Sequence, residues 1–186
     1  MDGARKRTIK SLVLIGLLAA SITAGKLALM QLPNVEIVTL FIIMYTAVFG
    51  YKISLPATVI FVTIEMLLFG INTWVVSYYI HWCALALITV VIVKFFKMSR
   101  VALTVEAVVM TACFGILTTL VDTIFASSLA QIQFFQYFAA LYARGIVYFA
   151  IHIVSNAAIV CAFSEPLSKL LFKLKTQYFT AEGKIV

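Results

Sequence analysis

Residues 30–40, MQLPNVEIVTL, separate two strongly apolar runs of the sequence. Pro33 is predicted to halt the helix before it, and Glu36 falls in the first turn of the next helix, where a carboxylate faces the positive end of the helix dipole. The simplest interpretation is a capped hairpin between two helices. The alternative is a short lid, with Lys26 and Glu36 near enough to pair at its hinge.

The composition of the 186-residue chain excludes an ordinary water-soluble domain, which is about half apolar. Hydrophobic residues make up 64% and charged residues 11% of the sequence, and the mean hydropathy is +1.12. Polar breaks leave apolar runs of about 20 residues, the length that crosses a hydrocarbon core. We therefore predict an all-α integral membrane protein, because a barrel would show short alternating segments.

The apolar runs predict a single membrane domain of six transmembrane helices, over residues 11–30, 36–51, 53–71, 75–96, 101–125 and 137–163. Residues 164–186 are predicted to form a basic amphipathic extension at the membrane surface. Lysine and arginine gather at both termini and in the second and fourth connections, which by the positive-inside rule are cytoplasmic. Residues 31–35, 72–74 and 126–136 then face outward.

The first predicted helix also has features of a secretory signal, namely a basic leader and an apolar stretch that ends in small residues. Its apolar run continues past Lys26, which favours a helix that is retained. Cys83, Cys113 and Cys161 lie inside apolar runs without metal-ligand spacing. We interpret them as packing residues, because an odd number of cysteines gives no disulfide framework.

Motifs of several enzyme classes are missing from the sequence. The Gly25-Lys26 pair lacks the upstream glycine and downstream serine or threonine of a phosphate-binding loop, and neither HExxH nor GxSxG occurs. His81 and His152 lie on different predicted helices without a cysteine or carboxylate cluster. We predict no catalytic residue, no metal site and no cofactor belonging to this chain.

Polar side chains at membrane depth are costly unless they are paired or face a cavity, and they concentrate in the outward halves of the last four spans. Span six carries Arg144, Tyr148, His152 and Asn156 at steps of four, which predicts one slowly drifting stripe. Asp122, at the outward end of span five, is a candidate partner for Arg144. The pattern predicts a polar pocket that opens outward beneath the loops.

Several of these residues have simpler interpretations. Trp74, Tyr78 and Tyr79 fit an aromatic belt at the membrane surface, and Lys26 could extend its ammonium outward with no other role. His152 alone could bond to a neighbouring carbonyl group. Glu106, near the start of span five, is predicted to be solvated.

Small residues recur at every fourth position of span one, at Gly16, Ala20 and Ala24. Such a ridge lets another helix approach closely in lipid, whereas Lys26 projects from roughly the opposite face. The partner is either another protein or a helix of the same bundle, and spacing alone does not choose between them.

The stretch GKLALMQLPNVEIVTLFIIMYTAVFG, residues 25–50, with the chain's size, its six predicted helices and the small ridge, resembles the S components of energy-coupling factor (ECF) vitamin transporters. The resemblance implies a bacterial cytoplasmic-membrane protein that captures a vitamin outside. It then topples after docking on a transmembrane scaffold subunit that carries two ATPase subunits, which use ATP and Mg²⁺. Motifs of the biotin, thiamine and riboflavin members are not found, and the cobalamin member is most similar.

The family's substrate lies beneath the first loop and against the outward ends of helices four to six, and its scaffold contacts the small ridge. Together with the outward polar residues, this gives a predicted substrate-binding set of Lys26, Asn34, Glu36, Asn72, Tyr78, His81, Trp82, Asp122, Tyr137, Arg144, Tyr148 and His152. The predicted partner interface is Gly16, Ala20 and Ala24. An aromatic, amide-rich pocket suits cobalamin or its precursor cobinamide.

Three alternatives stay open. The chain could be an S component for another vitamin or precursor, such as pantothenate, folate or a queuosine precursor. It could be an autonomous secondary transporter, although no internal repeat is found. It could also be an intramembrane enzyme that uses Glu65, Glu106 and the two histidines, which requires those groups to converge.

Overall fold

The computed structural model describes residues 2–130 and 132–179. This part of the chain is all-helical, with six helices and no strand, as the all-α prediction expected. The helices are α1 (Asp2–Leu29), α2 (Val38–Phe49), α3 (Tyr51–Phe69), α4 (Thr73–Phe96), α5 (Arg100–Ala130) and α6 (Phe134–Phe179).

Five of the helices are long and apolar enough to cross a membrane, and α2 is a shorter apolar helix of 12 residues. Several such helices in one chain make this a multi-pass helical membrane protein. The second predicted span, 36–51, is longer than the helix found, because residues 36 and 37 belong to the connection and Gly50 separates α2 from α3. Gly50 has a φ of 81°, a left-handed conformation that favours glycine.

The last helix continues beyond the predicted end of span six at residue 163. It runs through Pro166 to Phe179, so residues 164–179 of the predicted extension continue α6. Residues 180–186 lie outside the described residues. Lys175 donates to the Val48 carbonyl group at the end of α2 over 2.6 Å, and Leu171 is buried. This part of α6 therefore packs on the bundle and caps α2.

The short helix α2 lies at the centre of the fold. Most of its residues are buried, and it contacts all five other helices. The longest helix pair, α5 and α6, packs along α2 and α4. The segment 30–37, which leads into α2, therefore delivers its polar side chains to the middle of one end of the bundle, and we call this the 30–37 end.

Candidate functional site

Polar side chains from all six helices meet beneath the segment 30–37. They form two sets of contacts, which we call the Lys26 network (Lys26, Glu65 and Tyr78) and the Glu36 network (Glu36, Thr39, Thr111, His152 and Asn156). A layer of aromatic rings lies between them.

The Lys26 network joins α1, α3 and α4. The Lys26 ammonium donates to the Glu65 carboxylate and, over 3.2 Å, to the Tyr78 hydroxyl group. The Glu65 side chain is 0% exposed and the Lys26 side chain 21%. The ammonium also lies 4.5 Å from the ring centroid of Tyr78 and 5.6 Å from that of Trp74, which adds cation–π attraction. Lys26 therefore pairs with Glu65, and the predicted hinge pair of Lys26 with Glu36 is wrong.

The Glu36 network joins the segment 30–37 to α2, α5 and α6. The Glu36 carboxylate accepts from the Thr39 backbone N–H over 3.1 Å and from the Thr39 hydroxyl over 2.5 Å. Glu36 lies two residues before α2 begins at Val38, so its predicted place in the first turn is wrong, although its carboxylate faces the N-terminal end of that helix. His152 Nε2 lies 3.4 Å from the same carboxylate. The Asn156 amide donates to the hydroxyl groups of Thr39, over 3.1 Å, and Thr111, over 2.9 Å.

The pKa of the Glu36 carboxyl in this connection lies below its ordinary value of 4.5. Burial by itself raises that pKa, but the hydrogen bond and charge of His152 and the hydrogen bond from Thr39 outweigh it. Glu36 is therefore a carboxylate at neutral pH, which makes it a hydrogen-bond acceptor only.

The aromatic layer connects the two networks through Phe114 of α5. Its ring centroid lies 4.7 Å from His81, 5.7 Å from His152 and 5.8 Å from Tyr78. Trp82 stacks on the same ring at 5.9 Å. Phe114 was missed by the sequence reasoning, because a phenylalanine in an apolar run carries no signal of its position.

The segment 30–37 is fastened to α6. The Ser155 hydroxyl donates to the Asn34 carbonyl group over 2.8 Å, one helical turn from His152. Asn34 has a φ of 58°, a left-handed conformation that asparagine tolerates better than most residues. Asn34 thus acts through its backbone, and the segment lies over the Glu36 network.

Several buried polar atoms at this end accept or donate no hydrogen bond within the described part of the chain. They are Glu65 Oε1, Ser77 Oγ, Trp82 Nε1 and Asn156 Oδ1. A buried polar group without a partner costs free energy, so each of these atoms gains from a polar group brought in by a ligand. They offer two acceptors, one donor and one hydroxyl group that can do either.

Not all predicted site residues join these networks. Arg144, Tyr148 and Asn72 are exposed, and Asp122 and Tyr137 are half-buried. Asn72 caps α4 by accepting from the Thr73 N–H over 2.9 Å. Within the described residues Arg144 forms no ion pair with Asp122, so that predicted pair is not found.

Helix geometry explains why one half of the predicted stripe on α6 is buried and the other half is exposed. Each step of four residues turns the side chain by about 40° and advances it by about 6 Å. His152 and Asn156 are 7% and 0% exposed, whereas Tyr148 is 55% exposed. Arg144 precedes His152 by eight residues and thus lies roughly 12 Å farther along the axis.

Two other predictions concern residues outside the networks. Glu106, predicted to be solvated, is only 4% exposed and accepts from Thr89 over 2.5 Å, because this turn of α5 packs on α4. The ridge residues Gly16, Ala20 and Ala24 are all exposed, so they do not pack inside the described bundle.

The three cysteines lie outside the two networks. Cys113 and Cys161 are exposed and Cys83 is half-buried, so the first two do not pack in the core. Among the described residues no group of three or more histidine, cysteine or acidic side chains could hold a metal ion.

Comparison of the chain with protein-family models, curated proteins and solved structures finds no match. A carboxylate, an amide, two imidazole rings and an indole around aromatic faces can hold a polar, flat-sided molecule by hydrogen bonds and ring contacts.

Proposed function

We propose that this chain is the substrate-binding S component of an ECF-type vitamin importer of the bacterial cytoplasmic membrane, and that it binds cobalamin or cobinamide. The observation that carries the proposal is the convergence of the two networks beneath the segment 30–37. This segment contains LPNVE, the part of the sequence on which the resemblance chiefly depends.

The orientation follows from the positive-inside rule. Six spans with both termini in the cytoplasm place the 30–37 end outside the cell. Substrate then enters the pocket from outside, beneath a segment that the Ser155–Asn34 hydrogen bond holds against α6.

The networks supply binding groups that suit a corrinoid. The amides along a corrin edge can donate to Glu36 and to Asn156 Oδ1, and can accept from Trp82 Nε1. The rings of Tyr78 and Trp82 offer flat apolar area for the macrocycle. The chain performs no chemistry on the substrate in this proposal, and ATP hydrolysis with Mg²⁺ belongs to the two partner ATPases.

The ridge on α1 supports docking of the chain on a scaffold subunit. Gly16, Ala20 and Ala24 are exposed, and an added Cβ at Gly16 meets no atom within 4 Å. A helix of the scaffold subunit can therefore approach α1 closely along this face. Docking there leaves Lys26 and the substrate networks untouched.

The test is a titration of the purified chain with cobalamin, cobinamide, folate and pantothenate, followed by heat and by corrinoid absorbance. Saturable binding of a corrinoid alone supports the proposal. Binding of another vitamin keeps the transport role and overturns the substrate, whereas no binding across the panel contradicts both. Lys173→Ala, in the terminal part of α6, is the matched control and should bind as the unmodified chain does.

The enzyme alternative has less support, because its residues have separate partners. Glu65 pairs with Lys26, Glu106 with Thr89, and His152 with Glu36. The autonomous-transporter alternative has its own test: vesicles that hold this chain alone should show no gradient-driven corrinoid uptake. Uptake without partner subunits would overturn the S-component proposal.

A further inference from the structure

A cavity lies between α4 and α5, away from the 30–37 end. Its volume is about 450 Å³, within the range of small-molecule sites, and its walls include Ile88 and Ile92 of α4 and Val105 and Val109 of α5. Both valines are more than half exposed, at 55% and 51%, so the cavity opens sideways on the surface of the helix pair. In a membrane this opening faces the lipid.

One acidic group lies in this apolar wall. Glu106 lines the cavity and is 4% exposed. Its Oε1 accepts from the Thr89 hydroxyl over 2.5 Å, whereas Oε2 is buried and has no hydrogen-bond partner in the described part of the chain. A carboxyl group in such surroundings is stabilised by a proton or by a cation with an N–H donor.

The basic residues at this end of α4 and α5 do not supply that cation. Arg100 pairs with Glu165 of α6, and the Lys94 ammonium lies 5.9 Å from the ring centroid of Phe95. Within the described residues Glu106 forms no ion pair. The cavity thus combines a single unpaired acceptor with long apolar walls.

We propose that this α4–α5 cavity binds a lipophilic primary amine, with its ammonium group on Glu106 Oε2 and its alkyl chain along Ile88, Ile92 and Val105. The ammonium neutralises the carboxylate and gives it a charge-assisted hydrogen bond. The alkyl chain covers apolar side chains and enters sideways from the bilayer. A fatty acid would place a second acidic group at Glu106, and an alcohol would bring a donor without a charge.

The depth of Glu106 selects a free alkylamine over a phospholipid headgroup. Glu106 follows Arg100, the first residue of α5, by six residues, so it lies roughly 9 Å inside that end of the helix. The ammonium of a phospholipid stays at the bilayer surface with its phosphate. A single-chain amine can bring its head to that depth.

Native mass spectrometry of the full chain in detergent, with dodecylamine as the probe and dodecanol as its uncharged match, tests this proposal. Glu106→Gln keeps a group that can bond to Thr89 but removes the charge. Ala102→Leu fills the cavity beside Glu106, one turn earlier on α5, and leaves the carboxyl group in place. Asp122→Asn, which removes a half-buried carboxylate elsewhere on α5, is the matched control.

We expect the unmodified chain and Asp122→Asn to bind one dodecylamine, and Glu106→Gln and Ala102→Leu to lose affinity by about tenfold or more. Dodecanol should bind at least about tenfold more weakly than the amine. Equal binding by all four proteins, equal binding of amine and alcohol, or no amine binding to the unmodified chain would each overturn the proposal. Binding of phosphatidylethanolamine in place of dodecylamine would overturn the choice of a free amine.

Discussion

The two polar networks at the 30–37 end differ in what they join. The Lys26 network is an ion pair between membrane-spanning helices, with Glu65 fully buried. The Glu36 network ties a connecting segment to α2, α5 and α6 through hydrogen bonds of Glu36 and Asn156. The difference indicates that the first network chiefly holds α1, α3 and α4 together, whereas the second positions groups that can meet a ligand.

The largest effect is expected at Glu65. Glu65→Leu leaves the half-buried Lys26 ammonium without its counter-ion, and we expect a loss of about 3 kcal/mol in the free energy of unfolding, the lower end for a fully buried pair. Reversible unfolding in detergent measures it. The double variant Lys26→Leu with Glu65→Leu should recover most of the loss, since it removes both charges. A double variant as unstable as the single one would contradict the role of the Lys26–Glu65 ion pair in holding α1, α3 and α4 together.

A smaller effect is expected at Glu36. Glu36→Ala removes an acceptor for the Thr39 N–H and hydroxyl groups and for His152, and we expect a loss of about 1–3 kcal/mol in the same unfolding assay. Thr39 stays bonded to Asn156, which limits the loss. If Glu36→Ala cost more than Glu65→Leu, the Glu36 network would be the principal support of the fold, and the comparison would have to be reversed.

The third prediction separates two residues of α6 by ligand binding. If corrinoid binds at the Glu36 network, His152→Ala should weaken its binding about tenfold, the size of one hydrogen bond. Arg144→Ala should weaken it less than about threefold, because Arg144 is exposed and lies roughly 12 Å farther along the helix. Titration of the two variants beside Lys173→Ala measures this. Equal losses at His152 and Arg144 would extend the site toward the start of α6.

Sequence reasoning predicted features that depend on local pattern. The lengths of the apolar runs predicted the all-helical class, and the position of Glu36 predicted a carboxylate near the start of α2, although it lies before the first turn and not in it. Contacts between distant residues gave no such signal. Lys26 and Glu65 are 39 positions apart, and nothing in either run identifies the other as its partner.

Sequence reasoning also did not predict which face of each helix is buried. Arg144 and Asn156 have the same spacing pattern, but a step of four drifts around the axis, so only the half of the stripe that meets α2 is buried. Glu106 was predicted to be solvated from its place near the start of a helix, but the packing of α4 on α5 buries it. Both features depend on which helices are neighbours.

The smallest effect on the isolated chain is expected on the exposed face of α1. Ala19 and Ala20 are adjacent, but Ala19 is 1% exposed and packs in the core, whereas Ala20 is exposed. Ala19→Leu should cost about 1–3 kcal/mol through overpacking, and Ala20→Leu should change the free energy of unfolding by no more than about 0.5 kcal/mol.

If the chain docks on a scaffold with ATPases as proposed, Ala20→Leu should block co-purification with them, because a leucine on the ridge prevents close approach of a second helix. Corrinoid affinity should stay unchanged, since the Lys26 network lies on another face of α1. Loss of substrate binding together with docking would mean that the ridge supports the pocket itself. Unchanged docking with Ala20→Leu and with Ala24→Leu would place the partner on a different face of the chain. The proposed docking site on α1 would then be wrong, whereas substrate binding at the two networks would be unaffected.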